Sequence, residues 1–315
     1  MSKPRILVAG PMMAFILAEL DERYSVHRLW LESDQAKFLK EEGKNFEVLV
    51  TNAKAGASKE LMSALPLLKA VIAFGVGLDQ IDLDHARSRG IIVTNTSQVL
   101  DDCVADTALA LLLATSRRIA EADRFVRSGR WSKETFPLGM KFTGKKCGIA
   151  GLGNIGKAIA TRLEGFGVEV SYFGRQRKKD LPYKFYDDLS LLAADVDFLV
   201  LALNGGKETF HIVDAKVLTA LGPKGILINI ARGSVVDEAA LVKALQNSEI
   251  LGAGLDVYEN EPLPAKALTE MHQVVLLPHI ASATRETRQA MGEVVLDNLS
   301  AFFAGSVSRL RSVVP

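Results

Sequence analysis

Lys146-Cys147-Gly148-Ile149-Ala150-Gly151-Leu152-Gly153-Asn154-Ile155-Gly156-Lys157-Ala158-Ile159-Ala160 is the stretch on which the fold turns. Its first five residues have the length and apolar character of a buried strand. The glycines of Gly151-Leu152-Gly153-Asn154-Ile155-Gly156 follow at once in the spacing G-x-G-x-x-G, and a helix over Ile155–Leu163 opens directly behind them. In a strand–turn–helix unit this spacing has a mechanical meaning. The first glycine permits the tight turn, the second lets backbone approach a pyrophosphate, and the third allows helix and strand to pack closely. The unpaired amides and positive dipole end of the helix then face the phosphates. A purely structural glycine turn is the competing reading of such a motif. The coincidence of strand, turn and helix favours a dinucleotide, with Gly151, Leu152, Gly153, Asn154, Ile155 and Gly156 as the floor of its site.

In such units the second strand commonly ends in an acid that binds the adenosine ribose hydroxyls. Here the strand Val168–Phe173 runs into Gly174, eighteen residues past Gly156, and then into Arg175-Gln176-Arg177-Lys178-Lys179. With the acid missing and cations beside its place, Gly174, Arg175 and Arg177 are expected to receive the 2′-phosphate of NADP, Arg175 also stacking on adenine. NADPH is therefore expected over NADH. A solvated basic loop that touches no ligand is the plainer alternative.

Outward from this unit, apolar runs of strand length alternate with segments of helical period, the pattern of parallel sheets covered by helices. The fold class is α/β. Strands are expected at Ile6–Ala9, Glu47–Val50, Val71–Phe74 and Ile91–Thr94, with a helix over Lys59–Leu65, and these make one small doubly wound domain. Asp101-Asp102 offer a helix start, and Val104, Ala108, Leu111, Leu112 and Thr115 recur at helical intervals through a helix expected to reach about Ser128 and to link two domains. Lys146–Ala150, Val168–Phe173, Phe198–Leu203, Gly225–Ile230, Gly252–Leu255 and Val274–Leu277 form a second, larger sheet. An amphipathic segment, Thr284 to Ala304, carries Met291, Val294, Val295, Leu299 and Phe302 on one face and is expected to return to the first domain. The expected division is residues 1–99 plus 286–315 against residues 100–285. No internal repeat or low-complexity linker interrupts it.

Composition fits this reading. The 315 residues, 48% hydrophobic and 24% charged, are enough for two cores, and a formal net charge of +1 provides no bulk field for nucleic acid or anionic membrane. The longest apolar run, Ala108 to Ala114, is too short to span a bilayer. Gly10-Pro11 interrupts the apolar stretch after Lys3 and Arg5, so a strand, turn and helix explain the start better than a secretory signal. Cys103 and Cys147 share no metal spacing and suit a reducing compartment. The expectation is a cytoplasmic protein with no metal, no membrane and no nucleic-acid partner.

Three polar residues follow expected strand ends, where open α/β sheets bind ligands: Arg232 in Asn229-Ile230-Ala231-Arg232-Gly233, Glu261 in Tyr258-Glu259-Asn260-Glu261-Pro262, and His279 in Leu277-Pro278-His279-Ile280-Ala281-Ser282. Together they match the needs of 2-oxo acid reduction: a cation for the carboxylate, a donor polarising the carbonyl, and an acid for the nascent alkoxide. A carboxylate beside the imidazole would favour its charged, proton-donating form. Taken singly, each of the three is a surface charge or a partly buried histidine. His27, His85, His211 and His272 lack comparable partners and are expected to have no role.

Several motifs in order, Gly75-Val76-Gly77-Leu78-Asp79, Val104-Ala105-Asp106, the glycine turn, Asn229–Asp237, Gly254-Leu255-Asp256-Val257 and Pro278–Thr284, give the chain a resemblance over almost its full length to the D-isomer-specific 2-hydroxyacid dehydrogenases. Within them it is most similar to the NADPH-dependent glyoxylate/hydroxypyruvate reductases, including the plant hydroxyphenylpyruvate type, which also replace the ribose acid by a small residue followed by Arg. The resemblance implies two Rossmann-like domains, a flavodoxin-like one for substrate and one for the dinucleotide. It implies that Arg232 binds the substrate carboxylate and carbonyl, that His279 is the general acid, and that Glu261 hydrogen-bonds its ring. Amides of Val76 and Gly77 would grip the carboxylate from the other domain. Leu203, Asn204, Ile230, Ala231, Arg232, Asp256, His279 and Ala281 would border the cofactor, with Asp256 supporting the nicotinamide amide.

The same resemblance implies a homodimer, with Val104–Val126 and Trp131–Phe142 at the interface, and domain closure over a small 2-oxo acid. Pocket residues such as Leu100 and Met140 would select the acyl side chain. Asn204-Gly205-Gly206 departs from the Pro-Leu-Thr usual after that strand and leaves the contacts of Leu203 and Asn204 open. An NADH-linked D-2-hydroxyacid dehydrogenase such as D-lactate dehydrogenase, and a non-enzymatic nicotinamide-sensing corepressor, are the alternatives. Gly174-Arg175 disfavours the first, and the lack of extended tails the second.

Overall fold

The computed structural model describes residues 3–314; Met1, Ser2 and Pro315, where the expected first domain begins and ends, lie outside the described residues. The chain forms two compact units, passing from the first to the second after Leu100 and returning after Ala283.

The first unit is a five-stranded, wholly parallel sheet in the order β2-β1-β3-β4-β5, built from β1 (Arg5–Val8), β2 (Ser25–Arg28), β3 (Val48–Asn52), β4 (Ala70–Phe74) and β5 (Ile92–Thr94). That order is the flavodoxin-like one. Its connections are the helices α1 (Ala14–Arg23), α2 (Gln35–Glu42), α3 (Lys59–Ser63) and α4 (Leu83–Ser88). Ile6, Leu7, Val8, Val48, Leu49 and Val50 are fully buried, as continuous apolar strands covered on both faces must be.

The second unit contains α5 (Asp101–Ser116), α6 (Ile119–Arg127), β6 (Lys146–Ala150), α7 (Asn154–Gly165), β7 (Glu169–Phe173), β8 (Lys184–Tyr186), α8 (Leu189–Ala194), β9 (Phe198–Leu201), α9 (Ala215–Leu221), β10 (Ile226–Asn229), α10 (Glu238–Gln246), β11 (Gly252–Leu255), α11 (Lys266–Glu270) and β12 (Val274–Leu276). Its seven strands are parallel, in the order β12-β11-β10-β9-β6-β7-β8. The α/β class and the two parallel sheets read from sequence are both present.

Two details differ from the sequence reading. The helix expected from Asp101 to about Ser128 is two helices: Arg118 takes a left-handed φ of 55°, and the Ser116 carbonyl accepts the Met140 amide at 2.7 Å instead of continuing the helical ladder. Its apolar stripe is nonetheless as read, since Val104, Ala108, Leu111, Leu112 and Thr115 are all buried. Strands β2 and β8 had no counterpart in the reading, because each lies at a sheet edge and lacks the fully buried run that marks an interior strand.

The last helix, α12 (Arg285–Phe303), belongs to the first unit, where Met291, Val294, Val295 and Leu299 are buried. Asn298, fully buried, fastens it: Nδ2 donates to Thr94 Oγ1 and to the Arg311 carbonyl, both at 3.1 Å, and Oδ1 accepts the Arg311 amide at 2.7 Å. Asn298→Ala leaves those groups without partners and is expected to destabilise the protein by about 1–3 kcal/mol, measurable as a lower urea midpoint.

Candidate active site

Strand order in the second sheet reverses between β6 and β9, whose ends Ala150 and Leu201 are paired. The glycine turn and Ala202-Leu203 therefore emerge side by side at the switch point, the crevice where open α/β sheets hold ligands. Each glycine there answers a different constraint. Gly151 has φ 94°, and a Cβ on it would lie 2.6 Å from the Ala202 carbonyl oxygen; one on Gly156 would lie 2.1 Å from that of Gly151. A Cβ on Gly153 would meet nothing within 4 Å, so this backbone is bare toward open space.

Side-chain carboxylates cap α8, α9 and α10 through Asp188, Asp214 and Asp237, whereas α7 begins after Gly153 with no side-chain cap. A bare glycine edge beside uncapped amides fits a pyrophosphate. After β7 the chain folds back so that the Lys178 amide donates to Tyr172 Oη at 2.7 Å, leaving Arg175 and Arg177 exposed. Arg175 Nη1 stands 3.7 Å from Glu208 Oε2, both side chains in water. A Cβ at Gly174 would also meet nothing within 4 Å, so no steric rule excludes an acid there.

The polar residues lie beyond the carboxyl ends of β10, β11 and β12. Asn229, which ends β10, holds the next turn with its side chain: Oδ1 accepts the Ala231 amide at 3.0 Å and Nδ2 donates to the Arg232 carbonyl at 2.9 Å. Arg232 is half-buried, its Nη1 donating to the Ala231 carbonyl at 2.6 Å. Gly233 presses on the following turn so closely that a Cβ would lie 1.8 Å from the carbonyl carbon of Tyr258. Beyond β11, Glu261 Oε1 accepts the Tyr258 amide at 3.3 Å and Oε2 accepts from His279 Nδ1 at 2.8 Å. With Nδ1 so engaged, Nε2 is the ring nitrogen left to meet a reactant.

His279 itself is in left-handed backbone, φ 55°, a conformation that needs outside support. Asp256 supplies it. Its carbonyl accepts the His279 amide at 2.9 Å, and its carboxylate oxygens accept the Ile280 and Ala281 amides at 2.7 and 2.8 Å. Burial pushes the Asp256 carboxyl above its ordinary range, while those two amides and the nearby His279 pull it down. Tyr258 Oη donates to the Leu277 carbonyl at 2.7 Å and ties β11 to the end of β12.

Among the other expected cofactor contacts, Ile230, Ala231 and Ala281 are buried, so their backbone rather than their side chains is what they can offer a ligand. Leu203 packs on the core beside Gly151, and the Asn204 carbonyl accepts Thr209 Oγ1 at 2.7 Å, closing the Asn204-Gly205-Gly206 loop on itself. Met140 lines a cavity of about 280 Å³ with Ile226, Leu251 and Val275, at the amino ends of the strands. Within its own unit it is thus at the end of the sheet opposite His279. Val76 and Gly77 belong to the first unit, in a loop that Asn95 Nδ2 holds through the Val76 carbonyl at 3.2 Å. Asn229, Asp256 as a backbone clamp, and Tyr258 carry no signal in a single sequence, since each works through a turn whose path the sequence does not spell out. The expectation that His27, His85, His211 and His272 lack comparable partners is overturned for two of them: His211 Nε2 lies 2.7 Å from Glu259 Oε1, and His27 Nε2 lies 3.0 Å from Glu32 Oε1.

A doubly wound parallel sheet with a glycine-floored turn at its switch point defines a nucleotide-binding α/β protein. The profile of the D-isomer specific 2-hydroxyacid dehydrogenase, NAD binding domain, matches residues 109–281. The chain belongs to the D-isomer specific 2-hydroxyacid dehydrogenase family. It is 46% identical over 300 residues to the hydroxyphenylpyruvate reductase of Plectranthus scutellarioides and, over the same length, 46% identical to glyoxylate/hydroxypyruvate reductase A of Arabidopsis thaliana, covering 95% of this chain and 96% of each relative. Among solved structures, the NADPH-dependent glyoxylate/hydroxypyruvate reductase of Sinorhizobium meliloti, in complex with NADP and malonate, superposes with a TM-score of 0.91 at 44% identity, over 99% of this chain and 97% of that one.

Asp256→Asn replaces one of the two accepting oxygens by a donor that faces an amide. The expected result is a loss of about 1–3 kcal/mol of stability, together with a kcat that falls further than thermal unfolding at the assay temperature explains.

Proposed function

We propose that this chain is an NADPH-dependent reductase of small 2-oxo acids, taking glyoxylate and hydroxypyruvate to glycolate and D-glycerate. The observation that carries the reading is the 2.8 Å bond from His279 Nδ1 to Glu261, at the same carboxyl end of the sheet as Arg232 and the glycine turn. It fixes the ring so that Nε2 faces the reactant and, in the imidazolium, carries the transferable proton. The names of the relatives supply the substrate class.

In this reading the larger unit holds the dinucleotide on Gly151–Gly156, with Arg175 and Arg177 toward a 2′-phosphate, and the smaller unit serves the substrate. When bound, the nicotinamide supplies the hydride to the carbonyl carbon. Arg232 binds the substrate carboxylate and polarises the carbonyl, its fork of donors suited to both. His279 Nε2 gives its proton to the carbonyl oxygen as charge develops there, and Glu261 holds the ring in place while it does so. Amides of Val76 and Gly77 grip the carboxylate; among the described residues neither donates a hydrogen bond. We further propose a cytoplasmic enzyme and a homodimer, the dimer supported by Ile119, Val126, Trp131 and Leu138, apolar side chains that are 52%, 53%, 70% and 95% exposed.

The test is steady-state kinetics on a panel of 2-oxo acids with both coenzymes. NADPH-dependent turnover of glyoxylate or hydroxypyruvate is expected, and equal or better use of NADH would refute the coenzyme reading. Arg175→Ala should erase the preference, and Gly174→Asp, for which there is room, should turn it toward NADH. His279→Gln should lower kcat by about 10²–10⁴-fold with NADPH binding intact; a nearly unchanged kcat removes His279 from the chemistry.

A further inference from the structure

The loop that carries Glu261 offers a carboxylate to each of two histidines. Glu261 meets His279, and Glu259, two residues earlier, meets His211 Nε2 at 2.7 Å. His211 resembles His279 in its backbone as well, with a left-handed φ of 50° that an ordinary side chain adopts only under constraint. Its ring stacks on Phe210 at 3.9 Å. The pair is more enclosed than the other: the His211 and Glu259 side chains are 30% and 29% exposed, against 46% and 36% for His279 and Glu261.

The backbone around the pair shows what it holds. The His211 amide donates to the Ser234 carbonyl at 2.8 Å, two residues past Arg232, and the next links of the same zipper are Val213 N–H to the Val235 carbonyl and Asp237 N–H to the Val213 carbonyl, each at 3.0 Å. Glu238, at the start of α10, accepts the Glu259 amide at 3.1 Å through one carboxylate oxygen and the Ala265 amide at 2.9 Å through the other. The Glu261 segment is therefore pinned at both of its ends. Gly233 and Tyr258 are in backbone contact between these bonds, with no room for a side chain at 233. Three turns, after β9, β10 and β11, are thus laced together, and the only side-chain link among those bonds that spans from the first to the third is His211 to Glu259.

We propose that His211 and Glu259 are a positioning pair, which sets the Arg232 turn and the Glu261 loop against each other and through Glu261 fixes the His279 ring. Neither residue touches the reacting atoms. The inference rests on the reaction proposed above. In such an arrangement the two residues act as one unit, so removing either does most of the damage.

The test compares His211→Asn, Glu259→Ala, Glu259→Gln and the His211→Asn/Glu259→Ala double variant with the unmutated enzyme. Asn tolerates left-handed backbone but is shorter than His. His211→Asn and Glu259→Ala are each expected to lower kcat/KM for hydroxypyruvate about tenfold, with a rise in KM and a fall in kcat, while the Kd for NADPH stays within about twofold. The double variant should be no worse than either single one, and Glu259→Gln, which keeps an accepting oxygen, should recover to within about threefold of the unmutated enzyme. Additive losses, unchanged kinetics, or a parallel loss of NADPH affinity overturn the proposal. If His211→Asn does not fold, Glu259→Ala against Glu259→Gln decides alone. Hydrogen exchange gives a readout independent of turnover: in Glu259→Ala it should rise over residues 232–237 and 258–265 and stay the same over 151–156. An unmutated enzyme that reduces no 2-oxo acid sinks the reaction and leaves this measurement to judge the pair.

Discussion

A buried carboxylate holds the candidate site together. Asp256, at the end of β11 and fully buried, has both oxygens committed to the Ile280 and Ala281 amides. Desolvation of that charge is costly and lifts its pKa; the two amides and the His279 charge offset part of the cost. What the arrangement secures is a left-handed residue at His279, a conformation that a free turn would abandon. Glu261 can meet the ring only because the ring is already delivered there. Removing the carboxylate would undo the site from its foundation even though Asp256 need never touch the reacting carbon.

The glycine turn obeys the same logic with the opposite chemistry. Gly151 and Gly156 are required because backbone crowds them, whereas a Cβ on Gly153 would meet nothing within 4 Å. Packing thus fixes two positions and leaves the middle one open, as the proposed dinucleotide site needs. The parallel sheet gathers both halves: every strand of the second unit runs the same way, so the glycine turn, the Arg232 turn, the Glu261 loop and the His279 turn all leave from carboxyl ends. Two remote stretches of sequence become one neighbourhood without any long-range side-chain contact having to find the other first.

This also explains what could be read from the sequence. Interior strands announce themselves because both faces are buried, and G-x-G-x-x-G is legible because its constraint is local. Arg232, Glu261 and His279 were visible as polar residues just past apolar runs. The break at Arg118 was not, because it depends on Met140, far along the chain, capturing a carbonyl. Strands β2 and β8 were not, because an edge strand needs no apolar alternation. His211 looked solitary because its partner is 48 residues away, and only the order of strands brings them together. Local rules show where chemistry can stand; topology decides which residues stand beside it.

The exposure of the His279–Glu261 pair limits what that carboxylate can contribute. At 46% and 36% exposure water screens the charges strongly, and an ion pair so placed is worth little as Coulomb attraction. Its value is directional. A hydrogen bond at 2.8 Å to Nδ1 fixes the ring about its own axis and leaves Nε2 as the nitrogen through which the imidazolium can give up its second proton, and direction is a property that solvent does not screen. An electrostatic role would call for a deeper pair, whereas an orienting role calls for a rigid carboxylate. The Tyr258 amide on Glu261 Oε1 and the Glu238 bonds at both ends of its segment supply that rigidity. The bonds made around Glu261 hold it still, which is what the proposed role of His279 as proton donor requires.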